Sequence, residues 1–173
     1  MLKKEILRKK YFSKRKKKYY EVNCNFFDPL VGIIERKFKK KIIYLSSYYP
    51  SSYEVNSLKI FENKIINRFN ILLPVIKKKN MMSFLRWKKR DVLKVNQYGM
   101  LEPAFFSESI VPDIMLVPLL AYDSQKNRLG YGGGFYDKYL NKYFNTHKDI
   151  ITIGIAFSFQ KHNKLPKNKY DVK

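Results

Sequence analysis

The sequence predicts an α/β fold of three layers, in which a mostly parallel sheet carries helices on both faces. Segments rich in apolar and β-branched residues alternate along the chain with segments whose apolar residues recur at helical spacing. Several strand-like segments are apolar at successive positions, as expected for strands that are buried on both faces. The chain has 173 residues, of which 45% are hydrophobic, so we interpret residues 1–173 as a single domain with one core.

Two helices are predicted in the first part of the chain. A basic helix over residues 2–20 should pack on the domain. The segment DPLVGIIERKF (28–38) has a natural N-cap in Asp28, and Pro29 follows at the first helical position, where its missing N–H costs nothing. The apolar residues of the first helix that can share a face are Leu2, Ile6, Leu7, Tyr11 and Phe12.

Two further helices are predicted at EVNSLKIFENKIINRF (54–69) and, shorter, at FYDKYLNKYF (135–144). The stripe on the longer one is Val55, Leu58, Phe61, Ile65 and Phe69. Strands are predicted between the helices, and residues 88–110 are interpreted as loop. The strand segments are 41–47, 71–76, 81–87, the start of 113–123 as far as Pro118, and 151–157.

The segment RLGYGGGFYDKYL (128–140) is the most distinctive part of the sequence. Its glycines can adopt positive φ and let a ligand approach the main chain, and a helix begins just after them. Loop N–H groups, the helix N-terminus and Arg128 would then form an anion site, to which Asp137 adds a hard oxygen ligand for Mg²⁺. An ordinary glycine turn between strand and helix is the alternative. The spacing matches neither a Walker A loop nor the dinucleotide fingerprint.

The net charge of +22, from 36 basic and 14 acidic residues, would attract any polyanion. Nucleic acid, nucleotides and polyglutamylated small molecules are candidate partners. An AT-rich coding sequence would give a similar excess, because Lys, Asn, Ile, Tyr and Phe are all plentiful. Basic residues interleaved with aromatics at 10–20 are the one local hint of nucleic-acid binding, without any known recognition motif. We expect no specific nucleic-acid partner, and a basic nucleic-acid-binding protein stays an alternative.

Composition also indicates the cellular compartment. The single cysteine, Cys24, excludes an internal disulfide framework and fits a reducing environment. No apolar run approaches the ~18 residues of a membrane-spanning helix, and the basic N-terminus lacks the apolar region of a secretory signal. We therefore expect a cytoplasmic protein, without a membrane partner, that acts as a monomer.

Motifs along nearly the whole chain resemble those of the 5-formyltetrahydrofolate cyclo-ligase family, also called methenyltetrahydrofolate synthetases. The specific part is RLGYGGGFYDKYL preceded by VPLLAYD, which is similar to the family's P-G-x-A-F-D and R-L-G-x-G-x-G-Y-Y-D. Lys4, Arg8 and Arg15 match the family's K-x-x-x-R opening and a following arginine. The supporting segments, in the same order as in the family, are SYYPSSYEVNS, LPVI, MMSFLRW, YGMLEP, GIAFSFQ and LPKNKYD.

The resemblance implies an enzyme that converts 5-formyltetrahydrofolate to 5,10-methenyltetrahydrofolate with ATP and Mg²⁺. The formyl oxygen would be phosphorylated, N10 would attack the activated carbon, and phosphate would leave. Phosphoryl transfer of this kind needs positioning and charge neutralisation more than covalent help from the protein. The cationic surface could also attract a polyglutamate tail on the folate.

The resemblance also implies the residues of the site, among them Glu54 as the group that hydrogen-bonds the pterin. The ATP-binding residues would be Lys4, Arg8, Arg128, Leu129, Gly130, Tyr131, Gly132, Gly133, Gly134, Phe135 and Tyr136. The substrate-binding residues would be Glu54, Tyr49, Tyr131, Phe135 and Tyr136. The metal ligands would be Asp137 and Asp171.

Plainer interpretations stay open for several residues. Glu54 could instead be the N-terminal acid of the helix over 54–69. Phe84 and Trp87 could line a folate slot or belong to the core. The two histidines, His147 and His162, match no metal spacing and are expected to be solvated. Cys24 has no matching base, so a nucleophile is not expected.

The end of the sequence departs from the family. The family's L-P-x-E-x-H-D is here LPKNKYD, with Asn168 and Tyr170 in place of the glutamate and the histidine. The family's further strand, ending near V-T-E, is missing, which could expose a sheet edge and leave Asp171 poorly anchored. A catalytically impaired folate-binding remnant of the same fold is therefore an alternative function.

Overall fold

A five-stranded sheet forms the centre of the molecule. The structure is a computed structural model and describes residues 2–38, 43–62, 69–77, 81–105, 107–144, 146 and 150–172. The helices are α1 (Leu2–Lys18), α2 (Asp28–Lys37) and α3 (Phe135–Phe144). The strands are β1 (Ile43–Ser46), β2 (Phe69–Lys77), β3 (Met81–Arg86), β4 (Leu93–Val95), β5 (Leu101–Pro103), β6 (Ile114–Pro118), β7 (Ala121–Tyr122), β8 (Arg128–Leu129) and β9 (Ile151–Ile155).

The main sheet has the order β3–β2–β1–β6–β9. β1 pairs in parallel with β2 and β6, and β6 pairs in parallel with β9, whereas β3 runs antiparallel to β2. At the centre, Leu45 lies opposite Ile71 on one side and Ile114 on the other. The predicted mostly parallel sheet is confirmed. The carboxyl ends of its parallel strands meet at one edge, which is where α/β sheets usually bind ligands.

Helices cover both faces of the sheet. The side chains of each central strand alternate between the two faces, and both sets are apolar. On one face, Leu30 and Ile34 of α2 pack against β1, β2 and β6; the strand residues there are Ile43, Leu45, Ile71, Leu73, Ile114 and Leu116. On the other face, Tyr139 and Leu140 of α3 pack against a second set; the strand residues there are Leu72, Phe84, Met115 and Val117. Each face buries its own apolar cluster, as the three-layer prediction requires.

α1 matches the predicted helix at its start but uses a narrower apolar face. Leu7 and Tyr11 pack beside the β7–β8 hairpin; the buried residues there are Leu120, Ala121, Leu129 and Leu165. Ile6 and Phe12 were predicted on the same face, but they are 58% and 39% exposed. Polar side chains replace them, because Lys4 and Arg15 turn inward and are buried. No helix in the described residues is long and apolar enough to cross a membrane.

The prediction of a helix over 54–69 was wrong in extent. A 3₁₀ helix covers Ser57–Glu62, and Phe69 already begins β2; residues 63–68 lie outside the described residues. The helix starts late because the preceding backbone is engaged elsewhere: the Tyr48 hydroxyl donates to the carbonyl of Val55 at 2.9 Å. The Asn56 side chain then accepts the N–H of Leu58 at 3.2 Å, which begins the turn.

Two smaller expectations also need correction. Residues 88–110 contain the β4–β5 hairpin, whose strands of three residues are too short to give a periodic signal. α2 begins at Asp28, with Phe27 at the N-cap position and no side-chain cap. A 3₁₀ turn over Cys24–Phe27 runs straight into the helix, so the N–H of Asp28 bonds to the carbonyl of Asn25 instead.

Candidate functional site

A cleft of about 1060 Å³ opens between α1, the glycine loop and the carboxyl edge of the sheet. Every site residue implied by the sequence lines it, although these residues come from both ends and the middle of the chain. They are Lys4, Arg8, Tyr49, Glu54, the continuous run from Arg128 to Asp137, and Asp171. The cleft therefore gathers these residues from four separate segments, which supports one shared site.

The glycine loop turns sharply where its backbone lines the cleft. Gly132 and Gly134 have φ of +113° and +66°, a region that side chains rarely adopt. The carbonyl of Gly134 accepts the N–H of Lys138 at 2.9 Å, so α3 begins at this point. A Cβ at Gly132 would lie 3.4 Å from the Arg8 guanidinium carbon. That distance is an ordinary contact, so the positive φ rather than crowding favours glycine at this position. The N-terminus of α3 faces the same cleft.

Arg128 contacts the first of the two candidate metal ligands. Its Nη2 lies 2.5 Å from Oδ1 of Asp137, and its Nη1 donates to the carbonyl of Val172 at 2.6 Å. The N–H of Val172 donates to the same Asp137 oxygen at 3.1 Å. Val172 of the C-terminal segment is thus attached by two hydrogen bonds, one to Arg128 of β8 and one to Asp137 at the start of α3.

Lys4 contacts the second candidate ligand from α1. Its Nζ lies 2.5 Å from Oδ2 of Asp171, which also accepts the N–H of Asn168 at 2.7 Å. Arg8, one turn further along α1, donates from Nε to the carbonyl of Gly130 at 3.0 Å. The expectation of a poorly anchored Asp171 was therefore wrong, because the ion pair and the local turn hold it in the cleft.

The two carboxylates, Asp137 and Asp171, are each paired with a cation. They belong to neighbouring segments, because Val172, which follows Asp171, donates its N–H to Asp137. The described residues contain no cluster of three or more His, Cys, Asp or Glu side chains that could hold a metal ion by themselves. A cation at Asp137 and Asp171 would need further oxygen donors from a ligand. Phosphate oxygens are the usual source of such donors for Mg²⁺.

Glu54 lines another part of the cleft, beside Tyr131 of the glycine loop, and is 7% exposed. One carboxylate oxygen accepts the Tyr131 hydroxyl at 2.5 Å, and the other accepts the N–H of Ser51 at 2.8 Å. Burial raises the pKa of Glu54, and the hydrogen bonds from Tyr131 and Ser51 and the charge of Arg15 oppose that rise. Glu54 is a buried acid in a turn, not the first acid of a helix, since the 3₁₀ helix begins three residues later.

The remaining wall is largely apolar and was missed in the sequence. Tyr98, from the turn between β4 and β5, meets Phe135 edge to face with ring centroids 5.3 Å apart. Residues of the sheet and the hairpin complete the wall: Pro74, Ile76, Met82, Met100 and Leu101. An apolar wall with a few polar groups is typical of a small-molecule site.

Several residues have structural roles outside the cleft. Phe84 is fully buried against Tyr139, and Trp87 packs against Phe61, so neither lines a folate slot. His162 was expected to be solvated, but it is half-buried and its Nδ1 lies 2.9 Å from the Tyr11 hydroxyl. His147 lies outside the described residues.

Sequence comparison finds one family. The model of the 5-formyltetrahydrofolate cyclo-ligase family matches residues 32–173. The 5-formyltetrahydrofolate cyclo-ligase of Haemophilus influenzae is 32% identical over 148 residues, which are 82% of this chain and 76% of the relative. The enzyme of the same name from Escherichia coli K12 is also 32% identical, over 51% of this chain and 50% of its own length.

Comparison of structures gives the same result. An NMR structure of Aquifex aeolicus 5,10-methenyltetrahydrofolate synthetase superposes with a TM-score of 0.72 and 28% identity, over 99% of this chain and 86% of that one. The 5,10-methenyltetrahydrofolate synthetase of Mycoplasma pneumoniae has a TM-score of 0.67 and 25% identity, over 98% and 94% of the two chains. The similarity therefore includes the N-terminal segment that precedes the family match.

Proposed function

The chain belongs to the 5-formyltetrahydrofolate cyclo-ligase family, and we propose that it converts 5-formyltetrahydrofolate to 5,10-methenyltetrahydrofolate with ATP and Mg²⁺. The observation that carries the proposal is the meeting of two different half-sites in one cleft. Cations surround the glycines in one part of the cleft, and the buried acid Glu54 lies in another, where it accepts a hydrogen bond from Tyr131 of the loop. An enzyme that transfers a phosphoryl group from a nucleotide to a folate would need both.

The part of the cleft around the glycines would hold ATP. Loop N–H groups and the N-terminus of α3 favour an anion, and Lys4, Arg8 and Arg128 add three full charges around it. Arg128 has the planar fork that suits phosphate oxygens. These contacts would orient the terminal phosphate and neutralise its charge, which is the main requirement of phosphoryl transfer.

The proposed chemistry forms and breaks bonds in a balanced sequence. The formyl oxygen takes the terminal phosphoryl group of ATP, and ADP leaves. N10 then attacks the activated formyl carbon, the carbon–oxygen bond breaks with release of phosphate, and the N10 proton passes to solvent. The protein's part is to hold the formyl oxygen in line with the phosphoryl group and to keep water out.

Asp137 and Asp171 would hold Mg²⁺. Both supply hard carboxylate oxygens, and nucleotide sites commonly combine one or two carboxylates with phosphate oxygens. Their neighbouring positions, joined through Val172, are consistent with one shared ion. The ion would neutralise phosphate charge when bound. Arg128 and Lys4, which now pair with the carboxylates, would then turn to the phosphates.

The part of the cleft around Glu54 would hold the folate. Glu54 would accept hydrogen bonds from the N–H groups of the pterin, and Tyr49, Phe135 and Tyr136 would provide aromatic surface beside it. The net charge of +22 would favour a polyglutamate tail outside the cleft.

A turnover assay tests the proposal. Purified protein is mixed with 5-formyltetrahydrofolate, ATP and MgCl₂, and methenyltetrahydrofolate is followed by its ultraviolet absorbance. We expect product only when all three are present. An Arg128→Ala variant, purified in the same way, controls for enzyme carried over from the expression host and should lose at least about tenfold in kcat/KM for ATP. Folded wild-type protein that binds 5-formyltetrahydrofolate without turnover would contradict the proposal and favour the folate-binding remnant.

A further inference from the structure

Arg15 is a buried charge that the proposed chemistry does not use. Its side chain is 1% exposed, and it is not among the described residues that line the cleft. Nη1 donates to the Tyr131 hydroxyl at 2.5 Å, and Nη2 donates to the carbonyl of Ser52 at 2.5 Å. Nε is buried without a hydrogen-bond partner in the described part of the chain. Burying a guanidinium this way is costly, so a functional reason is expected.

The contacts of Arg15 fix the direction of the next hydrogen bond. A guanidinium can only donate, so the Tyr131 hydroxyl accepts from Arg15 and must use its single proton toward Glu54. Hydrogen bonds in such a chain polarise one another, and the charge of Arg15 is therefore felt at the Glu54 carboxylate. The second contact, to Ser52, holds the turn that carries Glu54 from its other side.

We propose that Arg15 is a positioning residue that acts through the Tyr131 hydroxyl to keep Glu54 ionised and in one orientation, and so sets the lower pH limit for binding of the folate. The inference about the folate rests on the proposed function. The inference about the charge state of Glu54 does not, because it concerns the ligand-free protein. Tyr131 also belongs to the glycine loop, so the same contact joins the two parts of the cleft.

The groups around Glu54 explain why such help is needed. Tyr48 after β1, Tyr136 of α3 and Tyr131 of the loop surround the carboxylate, and Arg15 of α1 is the one cation that bears on its ionisation among the described residues. Burial raises the pKa of Glu54, and the pKa values of the three tyrosines are raised as well, so they stay neutral. Without Arg15 and Tyr131, only the hydrogen bonds from Ser51 would oppose the effect of burial on Glu54 among the described residues.

A carbon-13 NMR titration of the ligand-free protein tests the proposal directly. The Glu54 carboxyl signal is assigned with Glu54→Gln, and its pKa is compared in Tyr131→Phe, Arg15→Met and Arg15→Lys. We expect the pKa to rise in Tyr131→Phe and Arg15→Met, and to stay closer to wild type in Arg15→Lys, which keeps the charge. Tyr20→Phe and Lys16→Met, both at exposed positions, are the controls. An unchanged pKa in Tyr131→Phe would overturn the proposal even if Arg15→Met does not fold.

Folate binding gives the second measurement. We expect Tyr131→Phe to bind 5-formyltetrahydrofolate about tenfold more weakly on the acid side of the profile and to approach wild type at higher pH. A merely structural role would weaken binding equally at every pH, and that result would overturn the proposal. If wild-type protein neither binds nor converts the folate, the proposed function fails, while the NMR titration still decides the role of Arg15.

Discussion

Asp123 is a buried carboxylate that joins two distant parts of the chain. One oxygen accepts the N–H groups of Gln125 and Asn127 at 3.0 Å, and the other accepts the N–H of Leu165 at 3.0 Å. The Asn127 side chain donates to both oxygens. These bonds fix the β7–β8 hairpin, which leads into Arg128, and attach the segment that carries Asp171 to the cleft. A residue outside the cleft therefore joins the hairpin before Arg128 to the segment that precedes Asp171.

The Asp123 carboxylate should contribute strongly to stability. Burial opposes its ionisation, but the hydrogen bonds from Asn127, Leu165 and Gln125 outweigh burial and lower the pKa to about 2, from 3.8. Asp123→Asn places an amide among N–H donors, and we expect a loss of about 2–4 kcal/mol in the free energy of unfolding in urea.

The pH dependence of this loss follows from the lowered pKa. The folded state binds the proton less tightly than the unfolded chain, so the carboxylate's contribution is present above pH ~4 and disappears as the pH falls through about 2. The difference between wild type and Asp123→Asn should shrink over that range. Glu108→Gln, at an exposed position, is the control. A difference that stays constant down to acid pH would contradict the assignment.

At the residue scale, the sequence predicts groups that have a distinctive neighbourhood. Residue type and spacing in the glycine loop were enough to predict Arg128 and Asp137 as site residues. The sequence could not predict a specific role for Arg15, because α1 contains many cations. Its role depends on burial and on contacts with Ser52 and Tyr131, which lie 37 and 116 positions away. Spacing along one helix carries no such information.

At the scale of elements, the apolar strands and α3 were predictable because burial on both faces and helical spacing leave strong local patterns. The β4–β5 hairpin left none, since Val92 and Val95 are exposed and its strands are short. The segment after Glu54 has helical spacing, but the Tyr48 hydroxyl engages the carbonyl of Val55 and the Asn56 side chain bonds to Glu21. The described part of this segment forms a 3₁₀ helix. Local pattern is overridden where the backbone is engaged from outside.

In the glycine loop, adding a single Cβ atom is expected to change stability by an amount that depends on the position. Gly132 has φ of +113°, and its Cβ would lie against Arg8, whereas Gly130 has an ordinary φ and nothing within 4 Å of its would-be Cβ. We expect Gly132→Ala to lower stability by about 1–3 kcal/mol, because alanine is strained at this positive φ. Thermal unfolding of the two alanine variants measures the difference. A loss in Gly130→Ala as large as that in Gly132→Ala would show that backbone strain is not the cause.

The whole molecule brings the two ends of the chain together at the cleft. Lys4 and Asp171 are 167 positions apart, and their ion pair depends on α1, the β7–β8 hairpin and the C-terminal segment packing on one another. The family resemblance could imply these residues as a set, but only the fold gives their pairing. Both candidate metal ligands pair with cations that are themselves candidates for phosphate binding.

This pairing predicts that metal and nucleotide bind together. MgCl₂ alone should barely change the melting temperature, because a divalent cation would have to displace Lys4 and Arg128 from the carboxylates without offering them another anion. MgATP supplies phosphates for the cations and oxygen donors for the metal. At about 100 times its Kd it should stabilise the fold by about 2.7 kcal/mol, or several degrees.

Thermal unfolding at constant ionic strength tests this prediction, because a net charge of +22 makes stability sensitive to salt itself. Asp171→Asn frees Lys4 and removes one carboxylate, so the shift with MgATP should be smaller in that variant. Lys142→Gln, at an exposed position on α3, should keep the full shift. A shift with MgCl₂ alone as large as that with MgATP would mean that the carboxylates bind the metal without nucleotide, against the ion pairing seen in the cleft.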